Sequence, residues 1–406
     1  MKFFFADSFD VVDPSFDFET ELRSRERVRH RSDAYAHELF TARAYDGLLV
    51  SKGIVDTGRY SLAQRHRLLR IGGKEFFRTR SVGWGALPIM GDCGAFTYVR
   101  EEKPPVSVDS VLQFYADCDF EFGISVDHVI LAYQPAWDNS ASGPPAAVWD
   151  RQELTLELAA EFLAKHQSGK LRFVPLGVAQ GWSPRSYARA VRSLQDIGYR
   201  YIALGGMVSL KSSEILECLE TIQAIRRDET QFHLLGVTRL EHLEQFRAYG
   251  VVSFDSTSPL RQAFKDADDN YYTCERNYTA IRVPQVEGNP RFQKLILSGR
   301  IPQAQARARE QACLAALRRF EAKELSIDET LETILRYEEL HDPKRSHRQA
   351  YRDILTERPW SSCECDVCKK LGIHVALFRG SERNRRRGFH NLWVFYRRLQ
   401  RELGAA

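Results

Sequence analysis

Four residues near the end of the chain have the types and spacing of metal ligands. Cys363, Cys365 and Cys368 form a C-x-C-x-x-C run, and His390 follows after 21 intervening residues. Three thiolates and one imidazole suit a tetrahedral Zn2+ ion, and a closed Cys3His set leaves no open position, which indicates a structural ion. The plain alternative, three free cysteines in a loop, is disfavoured by the tight clustering. His374 is nearer to the cysteines, but His390 lies near the start of FHNLWVFYRRLQREL. There Phe389, Leu392, Val394, Phe395 and Leu399 would give a helix one apolar face, and a ligand on its first turn would tie it to the cysteines.

Basic side chains form the second candidate set. Arg383, Arg385, Arg386 and Arg387 crowd one short stretch, read as a loop that contacts phosphates. Arg23, Arg25, Arg27, Arg29 and Arg31 alternate near the start, where a solvated helix face is an equal reading. The formal net charge of +4 over 406 residues is mild, so the distribution matters more than the total. The other five cysteines, Cys93, Cys118, Cys218, Cys274 and Cys313, are scattered, as in a reducing compartment and not in a disulfide framework. Asp7 and Asp10 interrupt the opening apolar run, so no signal peptide is expected. No window approaches the roughly 18 to 20 apolar residues of a membrane span. A soluble, cytoplasmic protein without membrane contact is the expectation.

The elements that must position these residues alternate between two periods. KFFFA (2–6) and GLLVS (47–51) read as buried strands, with a helix expected between them over the arginines and DAYAHELF. From about Asp109, strand-like HVILAY (128–133), RFVPLGVA, YIALGG, FHLLGV and VVSFDS alternate with helical stretches, among them LTLELAAEFLAKH and the segments 212–226 and 238–249. Ser183 followed by Pro184 is a favourable N-cap and first-turn pair. Near-continuous apolar strands in repeated βα units argue a parallel sheet, either a closed barrel or an open doubly wound sheet. Long charged helical stretches follow (303–322, 327–341 and 346–356).

The C-x-C-x-x-C run followed by HNL resembles the zinc subdomain of the tRNA-guanine transglycosylases, and further motifs match that family in order. GDCGAF (91–96) resembles its D-S-G-G-[FY], VAQGW (178–182) its V-Q-G, and ALGGMV (203–208) its I-G-G-L-A. HLLGV (233–237) and SFDS (253–256) match the last two barrel motifs, over a resemblance that runs from about Asp46. The opening MKFFFADSFDVVDPSFDFETE is closer to the DpdA branch, which places 7-deazaguanines in DNA. The resemblance selects the closed barrel: a TIM (β/α)8 barrel with a helical insertion and a C-terminal zinc-binding subdomain. The expected spans are 1–288 for the barrel, 289–357 for the insertion, and 358–406 for the zinc subdomain with a closing barrel helix.

The same resemblance implies the chemistry. Base exchange needs a nucleophile for the sugar C1′ and an acid for the departing base, a pair of jobs that two carboxylates can share. Asp255 would be the nucleophile and Asp92 the general acid/base. Asp127 would read the purine Watson-Crick edge, although its local spacing departs from the family pattern. Gln180 and the backbone at Gly205, Gly206 and Met207 would meet the base carbonyl, and Phe96 and Leu235 would sandwich the ring. Core packing is the bland reading of both apolar residues. The expected reaction is exchange of guanine for a 7-deazaguanine, with preQ0 as the expected base, in double-stranded DNA through a covalent Asp-deoxyribosyl intermediate. The target base would be flipped or locally unpaired. Proteins of a DNA-modification and restriction cluster are conceivable partners. The rival substrate is tRNA, but STSPLRQAFKD (256–266) lacks the P-T-R-type loop that tRNA enzymes carry after the nucleophile. A further rival, a non-catalytic nucleic-acid-binding subunit of a transglycosylase pair, is disfavoured by the presence of both Asp92 and Asp255.

Overall fold

A computed structural model describes residues 1–80 and 82–404. Eight parallel strands close into a barrel in sequence order: β1 (Lys2–Asp7), β2 (Gly47–Ser51), β3 (Ile89–Asp92), β4 (Phe122–Ile124), β5 (Val174–Ala179), β6 (Tyr201–Leu204), β7 (Gln231–Leu234) and β8 (Val251–Ser256). Closure is made by β8 pairing with β1, with Phe4 opposite Asp255. The interior is filled by Phe4, Leu49, Met90, Ile124, Leu176, Val178 and Ala203. It is therefore a packed core, and chemistry is left to the C-terminal rim of the strands. Helices follow the strands as the periodicity implies. That of Pro184–Ile197 is started by Ser183, whose hydroxyl accepts from the Ser186 N–H at 3.0 Å, and is stopped by Gly198. Among the described residues no helix is long and apolar enough to cross a membrane.

Two expectations fail locally. HVILAY is not a strand: β4 lies earlier, and residues 125–134 have no regular secondary structure. Ser125 at once diverts its hydroxyl to the Val178 N–H, and Gln180 takes the Ile130 N–H, so the chain leaves the sheet to build the rim. The arginine-rich stretch near the start is not a helix either, the helix there being only Ala36–Leu39. Arg27 instead grips Asp33 with two hydrogen bonds of 2.7 and 2.9 Å, a local fork that holds an irregular backbone.

The chain separates into two compact units that divide it differently from the three spans expected from sequence. One comprises Met1–Phe9, Tyr45–Thr257 and Arg398–Ala406; the other comprises Asp10–Ala44 and Ser258–Arg397. The second unit is built by contacts far apart in sequence. Glu21 pairs with Arg379 and Arg383, and Tyr271 reaches Cys368. Its helices Gln303–Glu321, Ile327–His341 and Arg348–Glu357 match the expected helical stretches closely.

Candidate active site and metal centre

The strand ends bring four of the expected polar residues to one rim. Asp92 is the last residue of β3, Gln180 directly follows β5, Asp255 is the penultimate residue of β8, and Asp127 lies three residues beyond β4. Asp127 is buried, and both of its oxygens are held. Cys93 Sγ donates to Oδ1 at 3.2 Å, and Gln180 Nε2 donates to Oδ2 at 2.7 Å. The Gln180 Oε1 accepts the Ile130 N–H at 3.2 Å, so the amide has one defined orientation. Tyr98 adds a hydroxyl that meets Cys93 Sγ and donates to the Asp127 carbonyl, both at 3.1 Å.

Two of the carboxylates are raised by their surroundings. Burial, and then the neighbouring charges of Asp127 and Asp255, push Asp92 up to about 7, against hydrogen bonds from Ser51 and Gly94 that favour its charged form. Burial raises Asp127 to about 6, while Cys93 and Gln180 oppose the rise. A carboxyl near 7 can give and take a proton at neutral pH, as a general acid/base must. Gly94 makes the turn after Asp92 possible. Its φ is +93°, and a Cβ there would lie 2.6 Å from Gly53 Cα.

Asp255 is held by one oxygen. Oδ1 accepts from the Gly236 N–H at 2.9 Å and from His233 Nε2 at 3.2 Å. Oδ2 has no hydrogen-bond partner among the described residues. Behind it, His233 Nδ1 lies 2.6 Å from Ser253 Oγ, which also bonds the Tyr201 hydroxyl. A register shift between Phe232 and His233 sets His233 opposite Ser253, and the period-two pleat puts Ser253 and Asp255 on one face.

The remaining expected residues lie around these groups. Gly205 and Gly206 follow β6, and a Cβ on Gly206 would lie 2.7 Å from the Ile130 carbonyl and 3.1 Å from Gln180 Oε1. Met207 is fully buried, backbone included. Phe96 is 54% exposed and Leu235 is half-buried against the barrel core, so both have surface open to a flat ligand.

Cys363, Cys365, Cys368 and His390 come together as the spacing predicts, with their ligand atoms all within 4.8 Å of one another. His390 Nδ1 lies 3.6, 3.4 and 3.3 Å from the three sulfurs. A tetrahedral zinc with ordinary Zn–S and Zn–N bond lengths puts sulfur and nitrogen about 3.6 Å apart, so the donor set fits such an ion. His390 Nε2 lies 2.8 Å from the Tyr272 carbonyl, which fixes Nε2 as the donor and leaves Nδ1 for metal. Tyr271 stacks on the His390 ring at 4.3 Å, and the Cys368 N–H points to Cys365 Sγ at 3.3 Å. His374, the nearer histidine, is outside the cluster.

The four arginines read as a phosphate-contacting loop require correction in their setting, and three of them in their role. They lie on the helix Gly380–Glu402 and not in a loop, and Arg383, Arg386 and Arg387 are buried. Arg383 bonds Glu21 and the Phe18 carbonyl, and Arg386 bonds Glu382 and the Asp13 carbonyl. Arg387 donates to the carbonyls of Leu377 at 2.7 Å and Ala263, and burial lowers its pKa to about 9. Arg385, half-buried, donates to the Val11 carbonyl at 3.0 Å. The physical reason is helical spacing: 383, 386, 387 and 390 fall on one face, the face that carries His390 inward. The terminal guanidinium nitrogens of Arg383, Arg386 and Arg387 serve carbonyls and carboxylates within the protein.

Sequence reasoning missed His233, Ser253, Tyr201 and the role of Cys93. His233 and Ser253 had a readable sign. Ser253 lies two residues before Asp255 on β8 and so shares its face, and His233 lies two residues before Leu235, which directly follows β7. Nothing local marked Tyr201, which reaches from β6 past β7 to Ser253 on β8.

No protein-family model matches the chain. A curated DNA-guanine transglycosylase from Salmonella montevideo is 47% identical to it over 409 residues, covering 98% of this chain and 97% of the relative.

Proposed function

The chain belongs to the DNA-guanine transglycosylases, and we propose that it exchanges guanine for a 7-deazaguanine, preQ0, in double-stranded DNA through an ester between Asp255 and deoxyribose C1′. The observation that carries this reading is the contrast between two carboxylates on one rim. Asp255 has Oδ2 unbonded and suited to attack, whereas Asp92 is raised to about 7 and suited to proton transfer.

In the first half-reaction Asp255 Oδ2 attacks C1′. The electron pair of the C1′–N9 bond leaves with guanine, which takes a proton from Asp92. In the second, Asp92 removes the N9 proton of the incoming base, N9 attacks C1′, and the ester electron pair returns to Asp255. Asp127, aimed by Gln180 and Cys93, accepts from the N1–H and 2-amino group that guanine and 7-deazaguanines share. Phe96 and Leu235 flank the ring. The Cys3His cluster would hold a structural Zn2+, whose contribution is to tie His390 and its helix to the cysteine run.

Nucleoside mass spectrometry of plasmid DNA and tRNA, from cells with and without this gene, tests the proposal. A 7-deazaguanine nucleoside in DNA that depends on the gene is expected. Its appearance in tRNA alone would replace the reading with tRNA exchange. Restoration only when cluster proteins are co-expressed would identify them as required partners.

A further inference from the structure

A buried hydrogen-bonded chain behind Asp255 takes no part in the two half-reactions as written. Tyr201 on β6, His233 on β7, and Ser253 and Asp255 on β8 are joined in series, and His233 and Ser253 are inaccessible to solvent. With Asp255 ionised and His233 neutral, as the nucleophile reading requires, the donor inventory gives one direction for every proton. An ionised Asp255 only accepts, so His233 Nε2 carries the hydrogen across the 3.2 Å contact. In a neutral imidazole Nδ1 is then the acceptor, and the Ser253 hydroxyl donates to it across 2.6 Å. Ser253 Oγ in turn accepts from the Tyr201 phenol, which burial keeps protonated, its pKa pushed to about 12. The opposite tautomer would set the Nε2 lone pair against the carboxylate.

We propose that His233 is a positioning residue which, locked in one tautomer by Ser253 and Tyr201, holds Asp255 Oδ1 together with the Gly236 N–H and so presents Oδ2 to C1′. The proposal rests on the reading of Asp255 as nucleophile. In the ester, Oδ1 is the carbonyl oxygen and keeps both donors. When the incoming base displaces the ester, the charge that returns to the carboxylate develops on an oxygen already facing two N–H groups. The imidazole thus acts in both half-reactions without touching either base. Its removal should lower turnover and leave base affinity alone.

The test measures exchange of labelled guanine into duplex DNA by the full-length protein. His233→Phe should lower kcat about 10- to 100-fold, the usual effect of losing a partner that orients a reacting group, with little change in KM for the base. His233→Gln, whose amide nitrogen can take the place of Nε2, should recover most of the loss. Ser253→Ala, which frees the tautomer, should show a smaller loss of the same kind, and carries the test if His233→Phe melts at a lower temperature. Wild-type kcat in both His233→Phe and Ser253→Ala would overturn the proposal, as would a loss that His233→Gln leaves untouched. Asp255→Asn runs in parallel. Exchange by that variant would defeat the nucleophile reading itself, whereas a dead Asp255→Asn beside a fully active His233→Phe would defeat the positioning role alone.

Discussion

Gln180 Nε2 donates to Asp127 Oδ2 across 2.7 Å, joining the loop after β4 to the end of β5. With Cys93 on the other oxygen, the carboxylate that would read the base is fixed before any ligand arrives. Gln180→Leu should therefore raise KM for the incoming base by about tenfold, the order expected for one hydrogen bond to a charged group, with a smaller effect on kcat. Steady-state exchange at varied base concentration checks this. A pure kcat effect would count against the orienting role.

Proton transfer by Asp92, as proposed, would set a pH dependence. The carboxyl is raised to about 7 by burial and by the charges of Asp127 and Asp255. Release of guanine in a single turnover needs the protonated form, so its rate should fall as pH rises through about 7. Rapid-quench measurement of free guanine between pH 5.5 and 8.5, on the order of the range buffers allow around that value, is the check. A rate that rises across this range would exclude Asp92 as the acid.

The same raised value is a stability cost. In the folded protein Asp92 keeps its proton up to about 7, whereas the unfolded chain loses it near the ordinary value of 3.8. The folded state therefore binds more protons between these two values, and stability falls as pH rises through that window, with the full penalty above it. Asp92→Asn removes the penalty and keeps an acceptor for Ser51 and Gly94. The variant should melt higher than wild type at pH 8, by a margin that shrinks toward pH 4. An equal margin at both would contradict this.

Much of the barrel was legible because parallel strands buried on both faces are written as apolar runs, as in GLLVS and VVSFDS, and because Ser183-Pro184 is a local start signal. The carboxylates and the cysteine cluster were legible through ordered motifs. HVILAY misled because an apolar, β-branched run fits the inside of a rim loop as well as a strand. The arginines of 383–387 misled for a related reason. Charge was read as exposure, although their helical spacing with His390 already placed three of them on the inward face. The ties from Glu21 to Arg379 and from Tyr271 to Cys368 join residues too distant for any local pattern.

Other cations are better placed for the phosphate contact that the proposed reaction on DNA requires. Arg307, Arg319 and Arg348 pair with Glu287, Glu324 and Glu332, whereas Arg300, Lys344 and Arg345 are exposed and have no ion-pair partner among the described residues. Neutralising these three together should flatten the salt dependence of DNA binding by up to about three units of log-log slope. Arg387→Met should leave the slope unchanged and destabilise the protein by about 2–4 kcal/mol, because it orphans buried carbonyls. Binding titrations at several salt concentrations, beside chemical denaturation, distinguish the two sets.

Metal removal should loosen the second unit. Freshly purified protein should contain about one equivalent of zinc, and Cys365→Ser should lower both zinc content and melting temperature, since structural zinc contributes folding free energy directly. Elemental analysis with thermal melts reads both. Metal-free protein as stable as the zinc-loaded form would refute the assignment.

Capture of the covalent intermediate tests the central claim most directly. Wild-type protein denatured during turnover on duplex DNA, with the incoming base withheld, should carry a DNA adduct that peptide mass spectrometry maps to Asp255. The adduct should disappear on a chase with preQ0, and Asp255→Asn should neither form it nor exchange bases. An adduct on a different residue, or exchange by Asp255→Asn at the wild-type rate, would contradict the account.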